Sequence, residues 1–305
     1  LTLPQNDISE VRGIVGATPL ASTMEDIKGR ALMKRDEVDV VQFALPVAGD
    51  NDIQIINNLR DQVQSLKEMW TGRTPAGIPM VPDELTEAAF YGREDVAALL
   101  DEGKVPLGLD LETVEPVTWE LKKGNLLYLT DKEEQMIQFV KQIAHSKQKV
   151  IVLAPAYNEL PEMEGVTILS TKEDYVAGIK KMEENIQLRL EQQKSQHEAT
   201  IVLYNQLELM NDLSMDLQSS LNYVLEKGAR AGYATVAMSG SQLNRKIDEV
   251  SKSIKLYKQA IVAMRITDQS VLNVINRPVR EEPLDSQVNY YVEDGFVRKV
   301  KVLMK

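Results

Sequence analysis

The sequence predicts an α/β fold with a mostly parallel sheet and helices on both faces, and three observations support this. Short apolar runs alternate with helical patterns from residue 126 to residue 264. These runs are largely apolar, which is typical of strands that are buried on both faces. The chain has 305 residues, 43% of them hydrophobic and 27% charged, which is the composition of a folded globular protein.

The first predicted element is a β-hairpin that lies outside this sheet. Residues 31–33 lead into the polar turn 34–37, and the apolar segment 38–45 follows. A second hairpin is predicted near the C-terminus, where 288–292 and 296–304 flank the turn Glu293-Asp294-Gly295.

The two hairpins and the residues before them resemble each other. A single ungapped shift of 259 positions places Val15 on Val274, Pro19 on Pro278, Asp26 on Asp285, Val38 on Val297 and Val41 on Val300. Both segments share the order of a valine, a proline, an acidic spacer and a hairpin. The chain is therefore predicted to open with the tail of one module and to close with the tail of the next.

An amphipathic helix is predicted for residues 52–70. Apolar side chains recur there at spacings of three and four residues, and the helix is expected to pack through Ile56, Leu59, Val63 and Leu66. Glycine and proline dominate the next segment, 71–79, which is predicted to be a linker.

The body of the chain is predicted to follow a strand–helix rhythm. The predicted strands are 126–129, 150–153, 166–169, 201–204, 235–238 and 261–264, and the predicted helices are 132–144, 172–196, 214–226 and 243–257. Parallel sheets bind ligands beyond the carboxyl ends of their strands. The loops that follow Leu129, Tyr204 and Met238 are therefore the candidate sites.

Composition excludes several classes of function. The net charge of -11 disfavours a nucleic-acid groove, and the absence of cysteine excludes disulfides and thiolate zinc sites. Neither His145 nor His197 belongs to a zinc-binding or hydrolase motif, so no catalytic residue and no metal ligand is predicted. No apolar run is long enough for a membrane span, and the N-terminal residues suggest a fragment of a longer protein.

The loop after Leu129 is the candidate phosphate loop. It comprises Thr130, Asp131, Lys132, Glu133, Glu134 and Gln135, and ends at Met136. A phosphate loop at this position carries G-x-x-x-x-G-K-[ST], whose backbone amides cradle the phosphates. This loop has no glycine and three carboxylates, so it is predicted to cap a helix rather than to bind phosphate.

The strand 201–204 ends in polar residues where a nucleotide hydrolase needs an acid for magnesium. Tyr204 and Asn205 stand there, followed by Gln206, and Glu208 is the first carboxylate. A phenol and an amide hydrogen-bond well but lack the charge to hold magnesium firmly. A structural role is predicted for Glu208.

These segments also resemble a known family. IVLYNQLELM (201–210) and GARAGYATVAM (228–238) resemble the second acidic motif and the GRAxGxHxxxAT segment of FtsK/SpoIIIE-type ATPases. Further similar segments are GRAL (29–32), VQFA (41–44), PMVPDEL (79–85) and VPLGLD (105–110). Over essentially its whole length, the chain resembles the C-terminal part of the EssC/YukB family, the FtsK/SpoIIIE-type coupling ATPases of type VII secretion.

The resemblance implies a RecA-like P-loop NTPase fold with peripheral β-hairpins. It assigns 1–48 to the tail of a preceding ATPase module, 49–82 to a helix and linker, and 83–305 to the last module. It also implies a location on the cytoplasmic side of the cell membrane, because the full-length proteins are membrane-anchored. The partners it implies are small helical-hairpin export substrates, the preceding modules of the same chain and other copies in an oligomer.

The departures from the family pattern concern the nucleotide site. The phosphate loop is replaced by residues 130–136, and the magnesium-binding acid by Tyr204 or Asn205, while Arg230 matches the arginine of the family motif with an open role. ATP with Mg²⁺ is therefore expected to bind weakly, if it binds, and not to be required. We expect a degenerate module that recognises substrate or regulates the motor. The alternatives are an active ATPase with an unconventional site and a DNA-translocase module.

Overall fold

A computed structural model describes residues 1–3, 8–20, 27–73, 77–121, 124–146, 148–158, 160–277 and 280–303. The chain divides into two compact units, Leu1–Gly77 and Ile78–Lys305. The boundary falls inside the predicted linker 71–79. None of the described helices combines the length and the apolar character that crossing a membrane requires.

The first unit contains helix α1 (Ile8–Val15), the hairpin strands β1 (Arg30–Lys34) and β2 (Val38–Gln42), and helix α2 (Asp52–Met69). Its small core consists of Val11, Val15 and Leu32. The two strands pair antiparallel and form a sheet of their own, as predicted for the hairpin.

Helix α2 has the predicted extent, but its predicted packing is wrong. The Asn51 side chain accepts a hydrogen bond from the backbone amide of Gln54 and caps the helix. None of the residues 52–69, all of which the structure describes, is buried. Ile56, Leu59, Val63 and Leu66 therefore form an exposed apolar stripe instead of a packed face.

The second unit is built on a large mixed sheet. Its strands are β3 (Val105–Asp110), β4 (Pro116–Trp119), β5 (Leu126–Leu129), β6 (Val150–Leu153), β7 (Val166–Leu169), β8 (Ala199–Leu203), β9 (Tyr233–Ser239), β10 (Gln259–Val262), β11 (Val288–Glu293) and β12 (Phe296–Lys301). Within the described residues their order is β4-β3-β12-β11-β10-β5-β9-β8-β6-β7. The strands from β10 to β7 are parallel, and the other four join antiparallel.

Helices cover both faces of this sheet, as the fold class requires. They are α3 (Glu87–Tyr91), α4 (Glu94–Asp101), α5 (Glu133–His145), α6 (Lys172–Glu191), α7 (Gln206–Asp212), α8 (Met215–Lys227) and α9 (Glu249–Lys255). In β5, Leu127 and Leu129 belong to the core beneath α6, α8 and α9, whereas Leu126 and Tyr128 belong to the core beneath α5. This alternation explains the continuous apolar runs, because each face of the strand is buried.

The C-terminal hairpin is not peripheral, which corrects the prediction. Strands β11 and β12 lie inside the large sheet, between β10 and β3. The ungapped shift of 259 positions also fails at the turn. It would pair Tyr291 with Lys299, whereas the structure pairs Tyr291 with Arg298, because the turn after β11 is one residue shorter than the turn after β1.

Several predicted boundaries move. The helix predicted for 172–196 ends at Glu191, and Gln193 adopts the left-handed conformation with φ of 53°. The helix predicted for 243–257 is interrupted: Ser241–Arg245 is a 3₁₀ helix, and α9 starts anew after Asp248, whose carboxylate accepts from the backbone amide of Ser251.

Candidate functional site

The candidate loops meet at one edge of the sheet because the strands before them are parallel neighbours. Strand β9 lies between β5 and β8, and β6 lies beyond β8. The backbone amide of Thr130, after β5, donates to the carbonyl of Ser239 at the end of β9, at 2.9 Å. The loops after β5, β6, β8 and β9 therefore border one cleft.

The turn between β5 and α5 is short and closed by its own hydrogen bonds. Only residues 130–132 separate Leu129 from Glu133. Thr130 is fully buried, and its hydroxyl donates to Gln135 Oε1 at 2.6 Å and accepts from the amide of Lys132 at 3.1 Å. A turn of this length leaves no ring of free backbone amides that a phosphate could enter.

Asp131 holds a backbone amide at the start of the next loop. Its Oδ1 accepts a hydrogen bond from the amide of Ser241 at 2.8 Å. The carboxylate lies so close to Gly240 that a Cβ added there would stand 2.5 Å from Oδ1. An anion of the protein itself therefore occupies this donor. The hydroxyls of the Ser239-Gly240-Ser241 segment provide no helix cap.

Glu133 and Tyr204 form the second contact in the cleft. Tyr204 is buried, and its hydroxyl donates to Glu133 Oε1 at 3.4 Å. Burial and the charge of Glu133 raise the pKa of the Tyr204 phenol, which keeps it protonated as a donor. The side-chain amide of Asn158, from the loop after β6, donates to the same carboxylate oxygen. The sequence offered no signal for Asn158, because nothing links that loop to the β5 turn along the chain.

The polar residues after β8 have structural partners. Asn205 caps α7 in the left-handed conformation, and its amide donates to the Tyr157 hydroxyl at 3.1 Å. Gln206 is buried and joins Ser239 to Ser251 through its two amide atoms. Asparagine tolerates the left-handed backbone conformation better than most residues, which accounts for Asn205 at this turn.

Three of the predicted site residues lie away from this cluster. Arg230 is exposed in the 3₁₀ helix Gly228–Ala231, which precedes β9 and so lies at the opposite edge of the parallel strands. Lys132 is exposed at the start of α5, and Glu134 lines a separate cavity. The cleft therefore brings together Thr130, Asp131, Glu133, Gln135, Tyr204 and Asn205.

Of the residues that line that separate cavity, only Glu134 and Gln135 were predicted as site residues from the sequence. The cavity has a volume of about 250 Å³, lies between α5 and the sheet, and is lined by Tyr128, Glu134, Gln135, Gln138, Phe139, Gln142, Ile261, Asn289, Val302 and Leu303. Three buried glutamines on one side of α5 are the unusual feature, since buried helix faces are ordinarily apolar. Their spacing at positions 135, 138 and 142 was the available sequence signal.

The residues of the cleft do not match the donors that a magnesium–triphosphate group requires. Such a group needs free amides, a lysine and a carboxylate or hydroxyl directed at the metal. Here a phenol, two side-chain amides and carboxylates of the turn surround the same edge. Among the described residues, no group of three acidic or histidine side chains has the arrangement of a metal site.

Comparison with curated proteins finds similarity to secretion proteins. It is 25% identical to the type VII secretion system protein EssC of Staphylococcus aureus, over 97% of this chain and 20% of that protein. It is 27% identical to the ESX secretion system protein YukB of Bacillus subtilis, over 92% of this chain and 20% of that protein. The chain is homologous to the type VII secretion proteins EssC, EccC and YukB. It spans about a fifth of the length of these relatives.

Solved structures agree on the fold. EssC (ATPases 2 and 3) from Geobacillus thermodenitrificans superposes with a TM-score of 0.77 at 22% identity, covering 98% of this chain and 59% of that one. Thermomonospora curvata EccC (ATPases 2 and 3), in complex with a signal sequence peptide, gives 0.57 at 17% identity, over 92% and 54%. No family model matches the sequence. The fold of these EssC and EccC ATPase domains is therefore the fold of this chain.

Proposed function

We propose that this chain is a degenerate ATPase module of a type VII secretion motor, acting in export-substrate recognition or motor regulation with weak or no ATP hydrolysis. The hydrogen bond from the Ser241 amide to Asp131 carries the proposal. A triphosphate would have to displace that carboxylate and approach Glu133 and Glu134, which are exposed in the first turn of α5. Charge repulsion opposes that approach.

The proposed organisation follows the repeat of the two hairpins. Residues 1–48 are the tail of a preceding ATPase module, 49–82 the helix and linker, and 83–305 the last module. The separate two-stranded sheet of β1 and β2 supports this organisation, because the equivalent strands β11 and β12 complete a large sheet. The full-length protein is proposed to lie at the cytoplasmic side of the membrane and to form an oligomer there.

The cavity beneath α5 is the proposed site for the tail of an exported helical-hairpin protein. It lies beside the β5 turn and combines Phe139, Ile261 and Val302 with side-chain amides that suit peptide groups. The Thermomonospora EccC structure, which contains a signal sequence peptide, supports peptide recognition by this kind of domain. A helical tail would bury apolar anchors there, with a dissociation constant of about 1–100 µM.

Steady-state hydrolysis with Mg²⁺ tests the absence of turnover. The chain is expected to hydrolyse ATP at well under about 1 per second, the low end of ordinary enzyme rates. Faster turnover that is lost in Lys132→Ala would establish the active alternative instead. If turnover appears only when a preceding module is present, the site is completed by a neighbour and the degenerate assignment is wrong.

Titration with the cognate substrate's tail peptide tests recognition. Val302→Phe fills the cavity and is expected to weaken binding at least tenfold. Thr167→Phe adds the same ring at an exposed position of β7, outside the cavity, and is expected to leave binding unchanged. Equal affinity of both variants would place the peptide elsewhere, and absence of saturable binding would remove substrate recognition from this module.

A further inference from the structure

Three carboxylates lie near Tyr157, whose ring is exposed at the edge of the sheet. Glu133 begins α5, while Glu208 and Asp212 belong to α7. We call this region the acidic cleft and define it by Glu133, Tyr157, Asn158, Tyr204, Glu208 and Asp212. Burial raises the pKa of the Tyr157 phenol, and the charges of Glu208, Glu133 and Asp212 raise it further, so all three carboxylates act on one point.

In the part of the chain that the structure describes, no basic side chain pairs with the carboxylates of the cleft. Within the described ranges, none of these three carboxylates forms an ion pair with lysine, arginine or histidine. Their contacts are neutral donors: the hydroxyl of Tyr204 and the amide of Asn158 on Glu133, the amide of Asn211 on Glu208, and the backbone amide of Ala156 on Asp212.

A second observation is independent of charge. Asn158 is only 8% exposed, its amide nitrogen donates to Glu133, and its amide oxygen has no partner in the described part of the chain. The amide cannot be turned around, because its oxygen would then face the carboxylate. Buried acceptors are nearly always satisfied, so this oxygen, beside a carboxylate, indicates a missing donor.

A ligand that satisfies this oxygen and also neutralises the neighbouring carboxylates brings N–H donors and a positive charge. A metal ion fits poorly, because no metal-site arrangement of acids and histidines exists among the described residues. An arginine side chain fits, since its planar guanidinium carries five donors and stacks on aromatic rings. The Asn158 oxygen, the Glu133 carboxylate and the 63% exposed Tyr157 ring supply the complementary acceptors and surface.

We propose that the acidic cleft binds the guanidinium group of an arginine presented by another polypeptide. The contact needs no nucleotide. This assignment is independent of the substrate-tail cavity beneath α5, and each of the two can fail without the other.

The probe is an acetylated, amidated Gly-Arg-Gly peptide, titrated into the full chain while the side-chain amide signals of Asn158 are followed by NMR. We expect saturable binding with a dissociation constant of about 1 mM. The same peptide with citrulline, which has the shape of arginine without its charge, is expected to bind at least fivefold more weakly. Equal binding of the two peptides, or no shift of the Asn158 signals at about 20 mM peptide, would overturn the proposal.

The matched variants are Glu133→Gln and Glu94→Gln, each of which removes one charge from the first turn of a helix. Glu133→Gln is expected to weaken the arginine peptide at least fivefold, and Glu94→Gln, at an exposed position of α4 outside the acidic cleft, to leave its affinity unchanged. Equal weakening by both would mean a general attraction of charge and would refute a defined site. Circular dichroism spectra of both variants, unchanged from the parent chain, show that the comparison is between folded proteins.

Discussion

Gly232, directly before β9, shows how the local backbone can require one residue type. It adopts φ of 84°, a left-handed conformation, and a Cβ at this position would collide with the backbone carbonyl of Gln196. Backbone atoms cannot yield as a flexible side chain does. Both the dihedral strain and the collision therefore require glycine here.

Gly232→Ala is expected to lower the free energy of unfolding by about 2–4 kcal/mol, because strain and collision add. Urea unfolding followed by fluorescence of the buried Trp119 measures this. Gly103→Ala is the control, since Gly103 has a similar φ of 72° and open space around it. That variant is expected to cost about 1 kcal/mol for strain alone. Equal costs would show that the carbonyl of Gln196 does not matter.

Hydrogen bonds of the Glu281 side chain link the segment before β11 to the 3₁₀ helix Ile266–Asp268. Its carboxylate accepts from the amides of Ile266 and Thr267, at 2.6 and 3.0 Å, and from the Thr267 hydroxyl at 3.0 Å. Burial alone would raise the pKa of this carboxyl, but the donors outweigh it and lower the pKa below its ordinary value of 4.5.

The hydrogen bonds of the Glu281 carboxylate make the stability of the fold depend on pH. The folded pKa lies below 4.5, so the stabilisation is complete above that pH and is lost as the pH falls through the folded pKa. Glu281→Gln is expected to cost about 1–2 kcal/mol at pH 7 and progressively less in acid. Urea unfolding at several pH values measures both. Glu282→Gln, at the exposed neighbouring position, should cost nothing measurable at any pH.

Among the elements, those with unbroken apolar runs were predictable. Strands β5, β6 and β7 have the predicted bounds. Both faces of β5 and β6 are covered, whereas β7 is an edge strand in which Thr167 is exposed. Strand β3 was missed, since Pro106 and Gly108 indicate turns in isolation. In the structure a register shift falls between these two residues, and Gly108 lies against the backbone of β12 at Lys301. Tertiary contact, not local propensity, makes that segment a strand.

Helices α1 and α2 also show that local sequence does not determine tertiary contacts. Both carry apolar periodicity, but Val15 of α1 is 2% exposed and Val63 of α2 is 56% exposed. Periodicity predicts that a helix has an apolar face and does not identify what covers it. The prediction of a packed α2 went wrong for this reason.

Val15→Ala and Val63→Ala therefore form a matched pair within the first unit. Val15→Ala removes buried methyl groups from the contact with Leu32 and is expected to cost about 1–2 kcal/mol. Val63→Ala is expected to change stability by less than about 0.5 kcal/mol. Hydrogen exchange of the β1 and β2 amides reports on this unit separately from the large sheet. A larger loss for Val63→Ala would mean that the stripe is covered in solution.

Over the whole molecule, the sequence predicted the position of the cleft better than it predicted the residues that line it. The predicted parallel sheet made the loops after Leu129 and Tyr204 candidate sites, and the Tyr204–Glu133 hydrogen bond joins the ends of these two strands. Asn158 and Tyr157 enter from the loop after β6, and only the strand order brings them there. Arg230 was drawn into the site by its family motif, although chain direction places it at the opposite edge.

The net charge of the molecule disfavours the DNA-translocase alternative. Affinity for duplex DNA comes largely from lysine and arginine that replace the counterions of phosphates, so it needs a basic surface. This chain carries 46 acidic and 35 basic residues, a net charge of -11, and three of the acidic side chains lie near Tyr157 at the candidate cleft. We expect no saturable binding of a duplex of about 30 base pairs at up to about 10 µM chain, between about 50 and 200 mM salt. Fluorescence anisotropy of a labelled duplex measures this. Binding that weakens steeply with salt would reveal a local basic surface strong enough to overcome the net charge, and the DNA-translocase alternative would then replace the export proposal.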